Sequence, residues 1–449
     1  MTTDPSEKFP EELRSNDALA RPDYFHAWWA LRHRNFRLFL GGKSISLIGK
    51  WMTRIATAWL VYRLTKSALL LGTVSFVGQI PMLLLAPFAG VLVDRLDRRQ
   101  VLVWTQALAM VRSLALAWLT LTHRITIREV LTLSAFQGAI NAFEMPGRQA
   151  FMVQMVEDRG DLPNAIAINS SMVNLARLTG PSLAGVVIAA TNEGWCFLID
   201  GVSYIAVIIS LLLMRVHVPD GKPATMSMLE QLREGWQYVS TFVPVRSILL
   251  LFATLSLMGM AHVVLMPVFA AEVLQGGPYT LGFLMSAAGV GALISSLSLA
   301  LRKSVRGLSK MLPIAAAIFG AGLVLFGMSR LLWLSLLLLV VVGFGMMQGL
   351  TVSNTIIQTL VPEDKRGRVM GYYMAAFVAT APFGSLLAGE LAQWIGAPRT
   401  VMLTGTFCIA GAAWFWSQLR AIRKEMRSIY IQLGIVPAPP EVVEEEAGN

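Results

Sequence analysis

Long runs of apolar residues recur along the chain, and short polar segments separate them. Each run is long enough to cross a bilayer as a helix, which takes about 20 residues. The pattern predicts twelve spans, with bounds near residues 36–62, 69–93, 101–122, 127–149, 164–190, 195–214, 247–271, 279–301, 309–329, 331–355, 368–395 and 398–419. We therefore expect an all-α membrane protein with twelve transmembrane helices.

One connection between spans is long, and it carries charges and a helical stretch from Met228 to Ser240. Leu229, Leu232, Trp236 and Val239 are spaced as one apolar face, which predicts an amphipathic helix on the membrane surface. The pattern divides the chain into a cytoplasmic N-terminal segment, a six-helix half, a cytoplasmic amphipathic linker, a second six-helix half and a cytoplasmic tail, at residues 1–34, 35–214, 215–246, 247–420 and 421–449.

The placement of Lys and Arg predicts the orientation. With the N-terminus inside, few of the 37 basic residues fall in outer loops or at outer helix ends: Arg63, Lys66, Arg124, Arg128, Arg330 and Arg399. Both termini are therefore expected in the cytoplasm, with the protein in a bacterial inner membrane. Residues 1–30 lack the apolar core of a signal peptide, so the first span is expected to be an uncleaved targeting signal.

Composition supports a polytopic membrane protein, since only 14% of residues are charged against about 25% in soluble proteins. The net charge is +10, but most of the basic residues lie in short loops, so the charge does not indicate nucleic-acid binding. Cys196 and Cys408 fall in or beside apolar runs without metal-ligand spacing. No cofactor and no metal are expected.

The stretch in which the second span ends and the third begins contains Gly90, Asp94, Arg95, Arg98 and Arg99. Gly90 is expected to let two helices approach closely. The pattern Gly-x-x-x-Asp-Arg-x-x-Arg-Arg resembles the loop 2–3 signature of the major facilitator superfamily. Asp97 stands where that signature has a second glycine, and the form Asp-Arg-Leu-Asp-Arg-Arg resembles the branch of enterobactin exporters and macrolide-efflux proteins.

Further stretches extend the resemblance over about residues 33–420. They include Pro146-Gly147-Arg148-Gln149, Gly180-Pro181 and Arg366-Gly367-Arg368. The halves also repeat short motifs in order, such as Phe136-Gln137-Gly138 and Met347-Gln348-Gly349. The resemblance implies the major facilitator fold of two pseudo-symmetric halves. It also implies a gate role for Asp94, within the charged neighbourhood of Arg95, Arg98, Arg99 and Arg148.

Ionisable side chains inside a membrane are costly and are by default functional candidates. Candidates for the substrate cavity are Arg54, Arg112, Arg177, Asn141 and Asn174, and Lys43 and Lys50 share a helix face with Arg54. Candidates for proton coupling are Glu144, Asp200, Glu390 and His262.

Each of these residues also has a structural interpretation. Lys43 could reach the cytoplasmic surface, and Arg177 could pair with Glu144. Asp200 could reach water on the outer side, and His262 could be a hydrogen-bonded helix contact. The five cations within the spans are all in the first half and outnumber the three acids. Because unpaired buried charge is costly, this excess predicts an anionic or amphiphilic small-molecule substrate.

These features predict a secondary active transporter that works by alternating access. The sequence has no phosphate-binding Gly-x-x-x-x-Gly-Lys-Ser/Thr loop, so ATP is not the direct drive, and proton antiport is the expected coupling. The branch resemblance favours an exporter of siderophore-like or drug-like compounds, working as a monomer. An importer of a nutrient or metabolite is the alternative.

Other classes fit less well. A membrane enzyme would need a nucleophile–base pair or a metal cluster, and the five histidines are scattered. A scaffold or receptor rarely needs several charges at mid-membrane.

Overall fold

The computed structural model describes residues 30–155, 161–214, 228–302 and 307–432. These residues form thirteen α-helices: α1 (Arg34–Thr65), α2 (Ala68–Arg95), α3 (Arg98–Leu121), α4 (Ile127–Met155), α5 (Leu162–Ala190), α6 (Glu193–Leu213), α7 (Met228–Thr241), α8 (Val243–Val268), α9 (Pro278–Ala300), α10 (Leu308–Met328), α11 (Leu332–Leu360), α12 (Glu363–Ile395) and α13 (Ala397–Gln432). A π-helical turn, Phe269–Val273, continues α8 beyond Pro267.

Short loops join most of these helices, and polar side chains at the helix starts stabilise the turns. Ser67 accepts a hydrogen bond from the Leu70 amide at the start of α2, and Asn192 accepts one from the Gly194 amide at the start of α6. Such caps satisfy amide groups that have no partner within their own helix. The apolar runs therefore end as well-defined helices rather than merging into one another.

Ten helices in the described part of the chain are long and apolar enough to cross a membrane. The long helices outside this group are α1 and α4, whose charged residues include Lys50 and Glu144. Large apolar side chains lie on the outer surface, as Trp333 (83% exposed) and Phe88 (73% exposed) illustrate. An apolar exterior of this kind suits a lipid environment and not water.

The pairing of helices repeats along the chain. In the first set, which comprises α1–α6, α1 packs on α5 and α6, α3 packs on α4 and α6, and α2 packs on α4. The second set, which comprises α8–α13, repeats this pattern: α8 packs on α12 and α13, α10 packs on α11 and α13, and α9 packs on α11. The main contacts between the sets, α5 with α9 and α2 with α12, are equivalent under this repeat.

The buried core joins the two sets at one end of the bundle. One cluster there combines residues of both, among them Leu60, Tyr62, Phe269 and Leu281. At the opposite end the cores are separate: Phe36 and Phe151 belong to a cluster of the first set, and Ile357 and Phe415 to a cluster of the second. Side chains of the two sets therefore pack together and close the bundle at the end where Tyr62 lies.

Helix α7 forms where the amphipathic pattern places it, but it packs on protein. Gly235 lies against Tyr372 of α12, Arg368 pairs with Glu234, and Val239 is buried in the core of the second set. Trp236 contacts Tyr372 with ring centroids 5.9 Å apart and remains 61% exposed. The side chains of Leu229 and Leu232 lie outside the described residues.

The last helix is longer than its apolar run. The expected boundary between the second half and the tail, at residue 420, lies inside α13, which continues to Gln432. Ile422 and Met426 are buried in the core of the second set, with Tyr430 packed beside them. The extension is amphipathic, so a hydropathy run ends before the helix does. Residues 433–449 of the expected tail lie outside the described residues.

Asp161 ties the start of α5 to the start of α1. Its Oδ2 accepts a hydrogen bond from His33 Nε2 and pairs with the Arg32 guanidinium, each at 2.8 Å. The hydrogen bond from His33, together with the charge of Arg32, holds the pKa of the Asp161 carboxyl below its ordinary value.

Helices α9 and α11 cross with their backbones in contact. A Cβ atom at Gly343 would overlap the Ala288 carbonyl oxygen, and one at Gly291 would overlap that of Val340. Small residues allow such an approach where no hydrophobic drive between helices exists. A Cβ at Gly349, also in α11, would meet no described atom within 4 Å.

We expect Gly343→Ala to lower the free energy of unfolding by about 1–3 kcal/mol, because backbone must move to admit the methyl group. Gly349→Ala is the matched control in the same helix and is expected to leave stability unchanged. Thermal unfolding of the purified variants in detergent measures both. Equal midpoints for the two variants would contradict the crossing described here.

We also expect the stability that Asp161 contributes to depend on acid. Because its folded pKa is lowered, the contribution is present above the ordinary carboxyl pKa of about 3.9 and is lost as pH falls through the folded value. Wild type should melt above Asp161→Asn at neutral pH, and the gap should close in acid. Glu363→Gln, at a pair with a 90% exposed carboxyl, should show a flat difference near zero. A gap for Asp161→Asn that widens in acid would refute this assignment.

Candidate transport cavity

A cavity of about 390 Å³ lies between the two sets of helices, beside the end that is packed shut. Its lining comes from α1, α2, α3, α4 and α6 of the first set and from α8 and α9 of the second. Helix α1 contributes along the greatest length, from Lys50 to Val61. The cavity is thus built at the interface and belongs to neither set alone.

The two sides of the cavity differ in chemistry. The polar and charged side chains of the described lining all come from the first set and form its polar wall: Lys50, Thr53, Arg54, Thr57, Ser75, Gln79, Arg112, Ser134, Gln137, Asn141, Asp200 and Tyr204. The first set also contributes apolar residues, among them Trp51, Ile55, Leu71 and Val74. The second set presents apolar side chains: Met260, Val263, Val264, Pro267, Leu281 and Met285. The arrangement suits a molecule with a polar end and an apolar body.

Glu144 is the centre of an ion-pair group on the polar side. Its Oε1 accepts hydrogen bonds from Lys50 Nζ at 2.8 Å and from Arg148 at 3.2 Å. Gln106 adds a further hydrogen bond to the carboxylate. The alternative pairing of Glu144 with Arg177 is therefore wrong for this conformation, since Lys50 and Arg148 occupy the carboxylate.

Asp200 is buried in α6 with a different set of partners. Its Oδ2 accepts hydrogen bonds from the Thr53 hydroxyl at 2.9 Å and the Ser113 hydroxyl at 2.8 Å. Its Oδ1 has no hydrogen-bond partner among the described residues. With 1% of the residue exposed, Asp200 does not reach outer water in this structure, contrary to the structural alternative given above.

The three predicted cavity arginines have different surroundings. Arg112 is buried, lies near Asp200, and donates from Nε to the Leu133 carbonyl at 3.4 Å. Arg54 lines the cavity and is exposed to it. Arg177 is half-buried outside the lining, where it contacts Met347 Sδ of α11 at 3.9 Å.

Lys43 does not reach the cytoplasmic surface. Its Nζ donates to Asn169 Oδ1 at 2.8 Å and lies over the Phe39 ring. It lines a small cavity of about 30 Å³ together with Lys50 and Glu144. The three cations of α1 therefore follow one another along two adjoining cavities, as their spacing predicts.

Two proton-coupling candidates are not among the described residues that line the cavity. Glu390 is exposed in α12 and accepts a hydrogen bond from Trp394 Nε1 at 3.0 Å. His262 is buried, its Nδ1 bonded to the Gly259 carbonyl and its ring edge-on to Phe319. This geometry favours the interpretation of His262 as a helix contact.

Asn141 does line the cavity and accepts a hydrogen bond from Gln137, whereas Asn174 is not part of the described lining.

The loop motif is observed as a tight turn between α2 and α3. Asp97 caps α3 by accepting from the Arg99 amide at 2.9 Å, so an acid replaces the signature glycine with a helix cap. Arg99 bonds the carbonyls of Leu211 and Leu212 at the end of α6. The side chain of Asp94 lies outside the described residues.

The close helix approach expected at Gly90 is not found. Among the described residues, no atom lies within 4 Å of a Cβ built at this position. Within the described part of the chain the glycine faces open space, at the end of the bundle where the two sets have separate cores. Arg95 is exposed at the end of α2 and Arg98 is partly buried at the start of α3.

Some cavity residues have no signal in a single sequence. Thr53 and Tyr204 of the lining, like Ser113 that bonds Asp200, are ordinary helix residues, and only packing brings them together. The apolar wall also has no signal in the sequence, since Met260 and Met285 look like lipid-facing residues. Lys50 did carry a signal, as one of three cations on one face of α1, but its partner could not be predicted.

The fold and the cavity define the class of the protein: a multi-pass helical membrane transporter. The chain belongs to the transmembrane secretion effector family, whose model matches residues 25–445 and whose relatives are of the major facilitator type. It is therefore a transporter and not an enzyme.

The curated relatives include efflux and secretion transporters. The chain is 25% identical over 395 residues to the staphyloferrin A transporter of Staphylococcus aureus, covering 87% of this chain and 98% of that protein. It is 26% identical to the multidrug efflux pump Tap of Mycolicibacterium fortuitum (79% and 88% covered). It is 23% identical to macrolide efflux protein A of Streptococcus pyogenes (85% and 95%).

Solved transporters share the fold. A bacterial homologue of the human lysosomal transporter Spinster, in an inward-facing and unoccupied conformation, superposes with a TM-score of 0.64. It is 13% identical, with 89% of this chain and 98% of that chain covered. A point mutant of the nucleoside transporter NupG gives a TM-score of 0.65 at 12% identity, with 86% and 98% covered.

We expect Glu144→Gln to be strongly destabilising, by about 3–5 kcal/mol, because it leaves Lys50 and Arg148 without their carboxylate. Lys50→Gln should cost less, since Glu144 keeps Arg148 and Gln106. The double variant should cost less than the sum of the two, and a double-mutant cycle of unfolding free energies measures this coupling. Glu390→Gln is the acid-to-amide control outside the cavity. Additive costs would mean that the pair is not coupled.

Proposed function

We propose that this protein is a proton-coupled exporter of small, amphiphilic, anionic compounds that works by alternating access. The observation that carries the proposal is the uneven cavity lining: its described polar and charged side chains, with three cations among them, all come from the first set, and the second set presents apolar side chains. An amphiphile can satisfy both walls at once, whereas a uniformly polar metabolite would leave the methionine-containing wall without contacts. Efflux and secretion relatives support the outward direction and a siderophore-like or drug-like substrate.

Alternating access follows from the organisation of the helices. We propose twelve spans in two six-helix halves, α1–α6 and α8–α13, joined by the segment that contains α7. The repeated helix pairing supports this division, because two similar units can rock about an interface between them. We take both termini to be cytoplasmic, as the Lys and Arg placement predicts, so that the shut end of the bundle is the outer end. The described state is then closed outward.

Asp200 is the acid best suited to carry the coupling proton. It lines the cavity, its bonded partners are hydroxyl groups, and one carboxyl oxygen has no described partner. A proton can join or leave Asp200 without breaking a direct ion pair. Glu144 is held by two cations, so protonating it would release both. We therefore assign Glu144 to structure and Asp200 to coupling.

The loop between α2 and α3 keeps its proposed gate role. Asp94 with Arg95, Arg98, Arg99 and Arg148 would stabilise the state closed to the cytoplasm. Arg99 supports this proposal by linking the loop to the end of α6 within one half. Because the cavity lies within one chain, a monomer suffices for transport. An importer of a nutrient or metabolite is the alternative, and it would use the same cavity with the opposite net direction.

The test uses purified protein in liposomes with an internal pH dye. A proton gradient is imposed, and siderophores, macrolides and organic anions are screened for substrate-dependent proton flux. We expect Asp200→Asn to abolish proton flux while substrate exchange without a gradient persists, because the cavity is still intact. Glu390→Gln, the control, should behave as wild type.

The possible contrary outcomes are distinct. Proton flux that persists in Asp200→Asn would remove this residue from the coupling mechanism. Substrate movement that ignores the gradient would make the protein a uniporter or an exchanger of another ion. Uptake of substrate against its gradient, in the direction opposite to export, would favour the importer.

A further inference from the structure

Two arginines lie against the same indole ring in the middle of the bundle. The guanidinium carbon of Arg54 is 5.2 Å from the centre of the Trp51 ring, and that of Arg177 is 5.6 Å from it. Arg54 and Trp51 are on α1, and Arg177 is on α5. Gly180 of α5 lies against the Trp51 side chain, so the two helices hold this group tightly.

Neither arginine has an acidic partner within the described part of the chain. The Nε of Arg177 is buried and makes no hydrogen bond there, and the one side-chain acceptor near its guanidinium group is the sulfur of Met347. Arg54 contacts the Trp51 ring and is near enough to Arg177 for their charges to repel each other. Two like charges thus share one ring without a counter-charge among the described residues.

The other cations in and beside the polar wall have an acidic neighbour. Lys50 and Arg148 pair with Glu144, and Arg112 lies near Asp200 and bonds the Leu133 carbonyl. A cation–π contact with an indole ring offsets only part of the cost of burying a guanidinium group. The pair of arginines at Trp51 is therefore the place in the cavity where a bound anion would relieve the most repulsion.

We propose that Arg54, Trp51 and Arg177 form the binding site for a carboxylate group of the substrate; this inference rests on the proposed function. Arg54 faces the cavity and binds the carboxylate directly, since its planar fork matches two carboxylate oxygens. Arg177 lies outside the lining and adds its charge from the far side of the site. The apolar body of the substrate then lies towards Met260 and Met285 on the opposite wall.

The proposal gives Arg54 and Arg112 different roles, although in the sequence both are simply arginines within predicted spans. Arg112 acts on Asp200 and on the helix backbone, so its loss should disturb the coupling acid. Arg54 acts on the ligand, so its loss should change which head group is accepted. Trp51 holds the Arg54 side chain in place and is a positioning residue.

The experiment measures binding of matched naphthalene probes to the full-length protein in nanodiscs, with empty nanodiscs as the partition control. The probes are 2-naphthoate, 2-naphthalenemethanol and 2-naphthalenemethylamine, which differ only in head group. Wild type should bind the acid more tightly than the alcohol by roughly tenfold to a hundredfold, as expected for a charge-assisted contact. The amine should bind weakest.

Variants then locate the contact. Arg54→Gln should remove the preference for the acid and leave the alcohol affinity unchanged. Arg54→Lys should keep part of the preference, because it restores the charge without the fork, and Arg177→Gln should reduce it partially. Arg37→Gln is the matched control, since Arg37 is exposed on the same helix. Trp51→Phe keeps a ring beside both arginines and should retain the preference in reduced form.

Three results would overturn the site: equal binding of acid and alcohol by wild type, unchanged acid affinity in Arg54→Gln, or an equal loss of acid and alcohol in that variant. The melting temperatures of all variants are compared first. If Arg54→Gln is unstable, the acid preference of Arg54→Lys is compared with that of the control Arg37→Gln instead. Binding is measured without a gradient, so a failure of proton coupling leaves this result untouched. Tightest binding of the amine would refute the anionic substrate class as well.

Discussion

The cost of placing charge inside an apolar bundle governs the organisation of this protein. Helices α1 and α4 carry too much charge to look like ordinary spans, and their charges meet each other: Lys50 and Glu144 are 2.8 Å apart, with Arg148 on the same carboxylate. The pairing lets both helices lie in the interior and makes them the polar framework of the cavity. Their position explains why the polar wall comes from the first set of helices, while the second set supplies packing and an apolar wall.

The cavity exists because the two sets touch unevenly. At the Tyr62 end their side chains form one core, and the Tyr62 hydroxyl donates to Glu272 across the interface at 2.8 Å. At the other end each set has its own core, so separating them there breaks up neither. Packed interiors change between discrete arrangements rather than by gradual deformation. Two sets of helices that share a core at one end are therefore suited to the alternating access proposed above.

In and beside the polar wall, neighbouring charged residues have different partners. Glu144 is saturated by cations, Asp200 is hydrogen-bonded to hydroxyl groups, and Arg54 faces the cavity beside an indole ring. Low local dielectric makes each of these contacts stronger than it would be in water, and it also makes an unpaired charge more costly. The proposed proton carrier and the proposed carboxylate site are two places where the described part of the chain leaves a polar group unsatisfied.

The sequence by itself determined the helical membrane class, the positions of the long helices, the amphipathic linker helix and the family. These depend on hydropathy runs, caps and local motifs, which act over a few turns of chain. Only the tertiary structure decided which charges meet. It paired Glu144 with Lys50 instead of Arg177, buried Asp200, and placed Glu390 outside the cavity. A helix pattern gives the face on which a residue lies, but its partner depends on how helices distant in sequence pack, and that is a property of the whole bundle.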